Sequence, residues 1–183
     1  MSEERKVVLI GEDNPYGADP RHALFCWPER SAGWNLAHRI LGLRRGTYLR
    51  KTVRYNLCEG KWSAPAARER AHEILVQHAN QTANDVLVLL GRRVVGAFYG
   101  GPDGCPQSDW PPAFTTGHAA YAPLNGRETL DSHRGDNLII LPHPSGRNLI
   151  WNDPMAVPKA RALFEQLAPW LPVGELSNAE RDA

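Results

Sequence analysis

The chain has 183 residues, 42% of them hydrophobic and 22% charged, and its formal net charge is +1 at pH 7. This length and composition predict one globular domain over 1–183, and the near-zero charge argues against a protein whose whole surface follows nucleic acid. The apolar runs are too short for a signal peptide or a membrane span, so we expect a cytoplasmic monomer without a membrane partner.

The three cysteines, Cys26, Cys58 and Cys105, lie far apart in the sequence and include no CxxC pair. Structural zinc sites and iron–sulfur clusters draw on cysteines at short, regular spacings. We therefore expect reduced cysteines, no metal, no iron–sulfur cluster and no cofactor.

Apolar runs and amphipathic segments alternate along the first half of the chain. Val7–Ile10 is a continuous apolar run, typical of a buried parallel strand. Ser31 is the expected N-cap of a helix over 31–43. The segment 47–57 alternates β-branched and aromatic residues and predicts a second strand that ends near Asn56.

The same alternation continues in the second half. Ser63 and Pro65 indicate the start of a helix over 65–80. The remaining predicted elements are a buried strand over 85–91, a short helix over 91–100, a fourth strand over 137–141, a closing helix over 159–171 and a frayed polar tail over about 174–183.

Strands that alternate with helices favour a parallel sheet with helices on both faces. We therefore predict a three-layer α/β/α fold with a central, mostly parallel four-stranded sheet. The loops that follow the strands then meet at one edge of the sheet, where ligands bind in such folds. That edge would hold GEDNPYG (11–17), Asn56 and HPSGRN (143–148).

Between Arg30 and Glu59 the chain has basic residues but no acidic one. Clustered arginine and lysine are typical of surfaces that bind phosphate groups. A solvated helix end and strand edge would account for the same charges. The basic residues are Arg39, Arg44, Arg45, Arg50, Lys51 and Arg54.

Two motifs resemble those of the uracil-DNA glycosylase superfamily. Residues 11–17, GEDNPYG, are similar to its glycine–polar–acidic–proline loop, and 143–148, HPSGRN, to its histidine–proline–serine loop in the branch with an HPSxxN motif. Landmarks between them also look similar: Phe25 with 30–33, then 56–58, then 86–98. The resemblance spans roughly residues 7–170 and implies a divergent member: a monofunctional glycosylase that flips a pyrimidine out of DNA and hydrolyses its N-glycosidic bond.

This chemistry creates two charges, because the sugar becomes oxocarbenium-like while the base leaves as an anion. A histidine at the base oxygen, here His143, can donate a hydrogen bond to the developing oxyanion. An acidic or amide group near the anomeric carbon can hold or activate water. The candidates for that role are Glu12, Asp13 and Asn14.

The first motif has one residue more than the family pattern. Counted from Gly11, Asp13 matches the acidic position of the uracil-specific branch; counted back from Pro15, Asn14 matches both that position and the asparagine of the thymine-mismatch branch. We prefer Asp13 as the base with Asn14 orienting water, and the reverse order stays open. A local Asx turn after the strand would also account for Asp-Asn-Pro.

Four side chains are candidates for binding the base. Tyr16 resembles the tyrosine that closes the pocket beside pyrimidine C5 and so excludes thymine. If the extra residue in the first motif displaces Tyr16, the pocket would instead admit a substituent at C5. Phe25 is the first candidate to stack on the extruded base and Trp27 the second, with core packing as the alternative for both. Asn56 looks like a reader of the pyrimidine edge, with a cap or turn role as the alternative.

In the second motif, Pro144, Ser145 and Gly146 are expected to form a stiff loop that approaches a DNA phosphate, and Asn148 to bind substrate. Arg147 stands where the superfamily places a wedge into the duplex, although arginine serves better as a phosphate ligand. A structural turn histidine is the alternative for His143.

Residues 100–136 form a long polar insertion that the resemblance does not explain. Its aromatic, carboxylate and amide side chains suit a hydroxyl-rich ligand, so we expect it to extend the substrate range from uracil to a hydroxymethylated or glycosylated pyrimidine of viral DNA, as in antiviral defence. A surface loop without a role is the alternative.

Two other functions fit parts of the sequence. One is a non-catalytic DNA-binding module on the same fold. The other is a metal-dependent hydrolase, although its ligands would have irregular spacing. Those ligands would be His118, Asp131, His133, Asp136 and His143.

Overall fold

The computed structural model describes residues 5–13, 19–81, 85–99, 115–117 and 138–176. Five strands and five helices account for most of them. The strands are β1 (Val7–Asp13), β2 (Thr52–Cys58), β3 (Val86–Leu90), β4 (Thr115–Gly117) and β5 (Leu138–Leu141). The helices are α1 (Ala32–Trp34), which continues into a π-helical segment (Asn35–Ile40), α2 (Arg45–Lys51), α3 (Ala64–Gln81), α4 (Arg92–Tyr99) and α5 (Ala156–Leu167), with short 3₁₀ turns at Pro20–His22 and Leu149–Asn152.

The strands form one sheet in the order β2-β1-β3-β5-β4. The first four are parallel to one another, and β4 pairs antiparallel with β5. The register places Gly11 beside Asn56 and Leu90 beside Leu141. The predicted three-layer α/β/α fold with four parallel strands is confirmed, and β4 adds a short edge strand within the segment that the sequence analysis treated as a loop.

The two faces of the sheet carry separate apolar clusters because successive strand residues point to opposite sides. Val7 and Leu9 face the side covered by the π-helical segment and α5, whereas Val8 and Ile10 face the side covered by α3 and α4. All four are fully buried. A strand that is buried on both faces has a continuous apolar sequence, so β1 could be predicted from the run Val7–Ile10.

Two helical predictions are confirmed at the level of single residues. The Ser31 hydroxyl accepts a hydrogen bond from the backbone N–H of Trp34 and caps α1. The helix expected over 65–80 is α3, and its residues Ala71, Ile74, Leu75 and His78, which helical spacing places on one face, are buried. The frayed tail lies outside the described residues from position 177 onwards.

The prediction of a strand over 47–57 was wrong for its first half, since Arg45–Lys51 is helical and β2 begins at Thr52. The helix buries Tyr48 completely, and the phenol donates a hydrogen bond to the carbonyl oxygen of Leu24 at 2.8 Å. Thr52 donates its hydroxyl proton to the carbonyl oxygen of Tyr48 at the helix end. Tertiary contacts therefore decide the conformation against the local β preference.

β2 and β3 lie on opposite sides of β1, so the connections that leave β1 and β3 diverge at the carboxyl edge of the sheet. Such a divergence opens a crevice, where open α/β sheets bind ligands. No helix in the described ranges is both long and apolar enough to cross a membrane.

Candidate active site

A pocket of about 770 Å³ lies at this carboxyl edge of the sheet. It brings together residues from the ends of β1 and β2, from the segment 22–33 and from the loop after β5. Eight residues singled out from the sequence line it: Glu12, Asp13, Phe25, Asn56, His143, Ser145, Gly146 and Arg147. Trp27, the second stacking candidate, lines it as well.

Of the four other predicted site residues, two are described, Pro144 and Asn148, and neither lines the pocket. Asn14 and Tyr16 lie outside the described residues, so the choice between Asp13 and Asn14 stays a prediction. Pro144 is buried behind the loop. Asn148 uses its side chain within the loop: Nδ2 donates to the carbonyl oxygen of His143 at 3.1 Å, and Oδ1 accepts from the N–H of Ile150. This arrangement makes Asn148 a scaffold residue, in contrast to the substrate contact expected from the sequence.

The two carboxylates at the end of β1 have different surroundings. The Glu12 side chain is 19% exposed, and its Oε2 lies 3.5 Å from Nη1 of Arg93 on α4. Asp13 is exposed at the strand end and lines the pocket. Glu12 is thus held by a cation at the pocket wall, whereas Asp13 has the access to solvent that water activation requires.

His143 is oriented by its own loop. The backbone N–H of Ser145 donates to Nδ1 of the imidazole at 3.2 Å. An Nδ1 that accepts a hydrogen bond leaves the ring proton of the neutral imidazole on Nε2. Burial lowers the pKa of His143, against the opposing influence of the Glu12 and Asp13 carboxylates. The ring is therefore held neutral, with Nε2–H as its donor.

The backbone of His143 is held by two side-chain donors. Nε1 of Trp151 donates to the His143 carbonyl oxygen at 2.9 Å, beside the bond from Asn148. Trp151 is buried, and its own carbonyl oxygen accepts from Arg39 at 3.0 Å. Sequence reasoning missed Trp151, because nothing in one sequence distinguishes this indole from an ordinary core residue.

Gly91 separates Glu12 from His143. Its φ of +99° lies in the region that residues with a side chain rarely adopt. A Cβ atom at this position would lie 3.0 Å from Oε1 of Glu12 and 3.1 Å from Cβ of His143. Only glycine therefore permits these two side chains to approach each other across the end of β3. The sequence showed Gly91 as a strand end but gave no sign of this contact.

The Phe25 wall of the pocket is built on a strained backbone. Leu24 has a φ of +45°, and its carbonyl oxygen accepts the hydrogen bond from the buried Tyr48 phenol. Burial raises the pKa of Tyr48, so the phenol keeps its proton. Gly33 packs so closely that a Cβ there would lie 2.2 Å from the Phe25 carbonyl oxygen. The guanidinium of Arg45 lies 5.3 Å from the centroid of the Phe25 ring.

Asn56 lies beside Gly11 at the floor of the pocket. Its Oδ1 is buried without a hydrogen-bond partner among the described residues. A Cβ on Gly11 would lie 2.7 Å from that oxygen, so the neighbouring strand leaves space only for glycine. An unpaired buried amide oxygen costs free energy, which a ligand donor would recover.

Three of the basic residues between 39 and 54 contact other parts of the fold. Arg39 donates to the Trp151 carbonyl oxygen, and Arg54 lies over the Tyr48 ring and donates to the Thr52 hydroxyl. Arg45 contacts the pocket wall through Phe25. Arg44, Arg45 and Arg50 are exposed on or next to α2, so the choice between a phosphate-binding surface and a solvated helix end stays open. The rim has two further arginines, the exposed Arg30 and Arg147.

Comparison of the chain with protein-family models, with curated proteins and with solved structures finds no match. The resemblance to the uracil-DNA glycosylase superfamily rests on the sequence motifs alone.

No group of three or more histidine, cysteine, aspartate or glutamate side chains with metal-binding geometry occurs among the described residues. Of the five ligands that a metal-dependent hydrolase would use, His143 alone is described; the other four lie within 118–136, outside the described ranges. Cys26 and Cys58 are buried free thiols, and Cys105 also lies outside those ranges.

Proposed function

We propose that the protein is a monofunctional DNA glycosylase that hydrolyses the N-glycosidic bond of a pyrimidine nucleotide flipped out of DNA. One observation carries the proposal: an imidazole held as an Nε2–H donor faces the same pocket as two carboxylates. An N-glycosidic bond that breaks needs such a donor for the departing base and an anionic group for the sugar and water.

In this mechanism the base enters between Phe25 and the loop that begins at His143. Asn56 lines the pocket and is the candidate reader of the base edge through its side-chain amide. As the bond to the sugar lengthens, Nε2–H of His143 donates to the base oxygen that gains negative charge. Asp13 stabilises the oxocarbenium-like sugar and takes a proton from the attacking water, with Asn14 as the residue that orients this water.

Glu12 has a supporting role in the proposal. Its position against Gly91 and Arg93 places a second negative charge beside His143 and the sugar. Its ion pair with Arg93 holds it at the pocket wall, whereas Asp13 is exposed at the strand end. A charge held at this distance favours the cationic sugar without accepting the water proton.

The leaving base is uracil or a pyrimidine modified at C5. The pocket volume lies within the range of sites that bury ligands larger than one pyrimidine ring. Tyr16, the residue expected to limit substituents at C5, and the insertion over 100–136 would decide between these bases. Arg147 and Arg30 at the rim suit the flanking phosphates.

Base release from synthetic oligonucleotides tests the proposal. Matched strands would contain uracil, thymine, 5-hydroxymethyluracil, 5-hydroxymethylcytosine or glucosylated 5-hydroxymethylcytosine at one position, and free base would be measured by mass spectrometry. We expect release of at least one of these bases, with an abasic site left in the strand and the activity retained in a strong chelator. Release that stops in the chelator would favour the metal-dependent hydrolase.

Carboxylate and imidazole variants assign the roles. Asp13→Asn should lower the release rate about 100- to 10,000-fold, the usual contribution of a general base. His143→Ala should lower it about 100- to 1,000-fold. Glu73→Gln, a matched change at an exposed carboxylate paired with Arg70 on α3, should leave the rate unchanged. A parent protein that binds DNA and releases none of these bases would refute the proposal in favour of a non-catalytic DNA-binding module.

A further inference from the structure

Two aromatic rings stand in one wall of the pocket at different depths. Phe25 is half-buried within the wall, whereas Trp27, two residues later, is 57% exposed. Both residues line the same pocket. A single extruded base can occupy the deeper position, and its neighbour in the strand then lies at the level of the outer ring.

The turn that carries Trp27 is fixed on both sides. The N–H of Ser31 donates to the Pro28 carbonyl oxygen at 3.1 Å, and the hydroxyl of Ser31 donates to the Phe25 carbonyl oxygen at 3.5 Å. The side chain of Asn35 donates to the Arg30 carbonyl oxygen at 3.3 Å. The indole therefore stands in water on a preorganised turn, where binding a flat ligand costs little ordering of the backbone.

The charge around Trp27 suits a nucleic-acid strand. Arg30 follows three residues later, is exposed and has a φ of +65°, and Arg147 faces the same pocket from the loop after β5. Aromatic faces combined with arginines along a groove are the usual means of binding single strands, because every base has a stacking face and every linkage a phosphate.

We propose that Trp27 is the stacking platform for the base adjacent to the extruded nucleotide. The inference rests on the proposed function in taking the pocket to hold an extruded nucleotide. In an intact duplex the adjacent base is stacked between its own neighbours and is not free to stack on an indole at the pocket rim.

The test is a double-mutant cycle between protein and DNA. Single-stranded oligonucleotides would carry a 2′-fluoro pyrimidine nucleotide at the target position, since the fluorine disfavours the oxocarbenium ion and blocks base release. In matched strands the nucleotide on the 5′ or the 3′ side is replaced by an abasic spacer. Dissociation constants would be measured by fluorescence anisotropy for the parent, Trp27→Ala and Trp27→Phe, with Val76→Ala as the control for loss of an exposed apolar side chain on α3.

We expect Trp27→Ala to raise the dissociation constant about 5- to 150-fold, the range measured for removal of one base stack. The spacer on one side should weaken binding by the parent to a similar extent and have no further effect on Trp27→Ala. Trp27→Phe should retain most of the affinity, and Val76→Ala should bind like the parent.

The inference would be overturned if the abasic spacer, whichever side of the target it is on, weakened DNA binding by the parent and by Trp27→Ala to the same extent. Base release is measured separately on the uracil strand, so the two proposals fail independently. If the parent releases a base but the spacer weakens binding equally with and without Trp27, the stacking role of Trp27 is refuted and the glycosylase proposal stands. If the effect of the spacer depends on Trp27 but no tested base is released, the glycosylase proposal alone is refuted. A parent that binds no oligonucleotide refutes both.

Discussion

The backbone N–H of Ser145 donates a hydrogen bond to Nδ1 of His143 at 3.2 Å, two residues away in the same loop. This bond exists only while Nδ1 carries no proton, so it favours the neutral imidazole. The partly buried position of the ring acts in the same direction and lowers its pKa. Loop geometry and burial together prepare Nε2–H as a neutral donor toward the pocket.

The depressed pKa of His143 predicts a pH dependence of folding stability. As pH falls through the ordinary histidine pKa of about 6.5, the unfolded chain takes up a proton at this position before the folded chain does. The contribution of His143 to the free energy of unfolding therefore decreases below that pH and levels off once the folded ring is also protonated. Urea unfolding measured at intervals between about pH 7 and pH 5 should show this decrease.

His143→Gln removes the titrating group, so the same series should show a smaller decrease in stability for this variant. Val76→Ala, at an exposed residue on α3 that does not titrate, is the control and should keep the pH dependence of the parent. Identical pH dependence in the parent and His143→Gln would contradict the account of the neutral imidazole.

Gly91→Ala should damage both the fold and the site. Its φ of +99° disfavours any side chain, and the new methyl group would press on Glu12 and His143. We expect the free energy of unfolding to fall by about 1–3 kcal/mol. Base release should fall further than the loss of folded protein explains. Gly60→Ala is the control, because nothing lies within 4 Å of a Cβ there, and it should leave both quantities near the parent values.

Tyr48→Phe should lower the stability of the protein and loosen the segment that carries Phe25. The change leaves the Leu24 carbonyl oxygen buried without the phenol donor, which costs about 1–3 kcal/mol of stability. Because that bond anchors the strained backbone before Phe25, oligonucleotide binding should weaken as well. In Tyr55→Phe the lost partner is His78 Nε2, 3.3 Å away, so this variant should bind DNA like the parent. Equal binding by Tyr48→Phe and the parent would refute the anchoring role.

Trp151→Phe should reduce catalysis more than it reduces DNA binding. The His143 carbonyl oxygen would keep Asn148 as a donor but lose the indole N–H, at a cost of about 0.5–1.5 kcal/mol in stability. A small shift of the imidazole should then lower the rate of base release by up to about 100-fold. Trp170→Phe is the control, since its buried Nε1 has no hydrogen-bond partner among the described residues. Comparable rates for the two variants would refute the positioning role of Trp151.

The sequence by itself predicted the architecture and much of the pocket. Three apolar runs predicted β1, β3 and β5, because a strand buried on both faces has few polar positions, and the alternating segment 47–57 predicted β2. Parallel strands end at a common edge, so the motifs at 11–17 and 143–148 were expected to meet there. His143 and Asp13 do line one pocket, together with Phe25 and Asn56.

Tertiary structure decided the features that depend on contacts between distant segments. Whether 45–51 is helix or strand followed from the burial of Tyr48 against Leu24, and the role of Gly91 from the approach of Glu12 to His143. The contacts of Arg39, Arg45 and Arg54 with the Trp151 carbonyl oxygen, the Phe25 ring and the Thr52 hydroxyl are likewise visible only in the folded structure. A sequence pattern records which residues are apolar and how they are spaced, whereas these features depend on distances and backbone angles that exist only after the chain has packed.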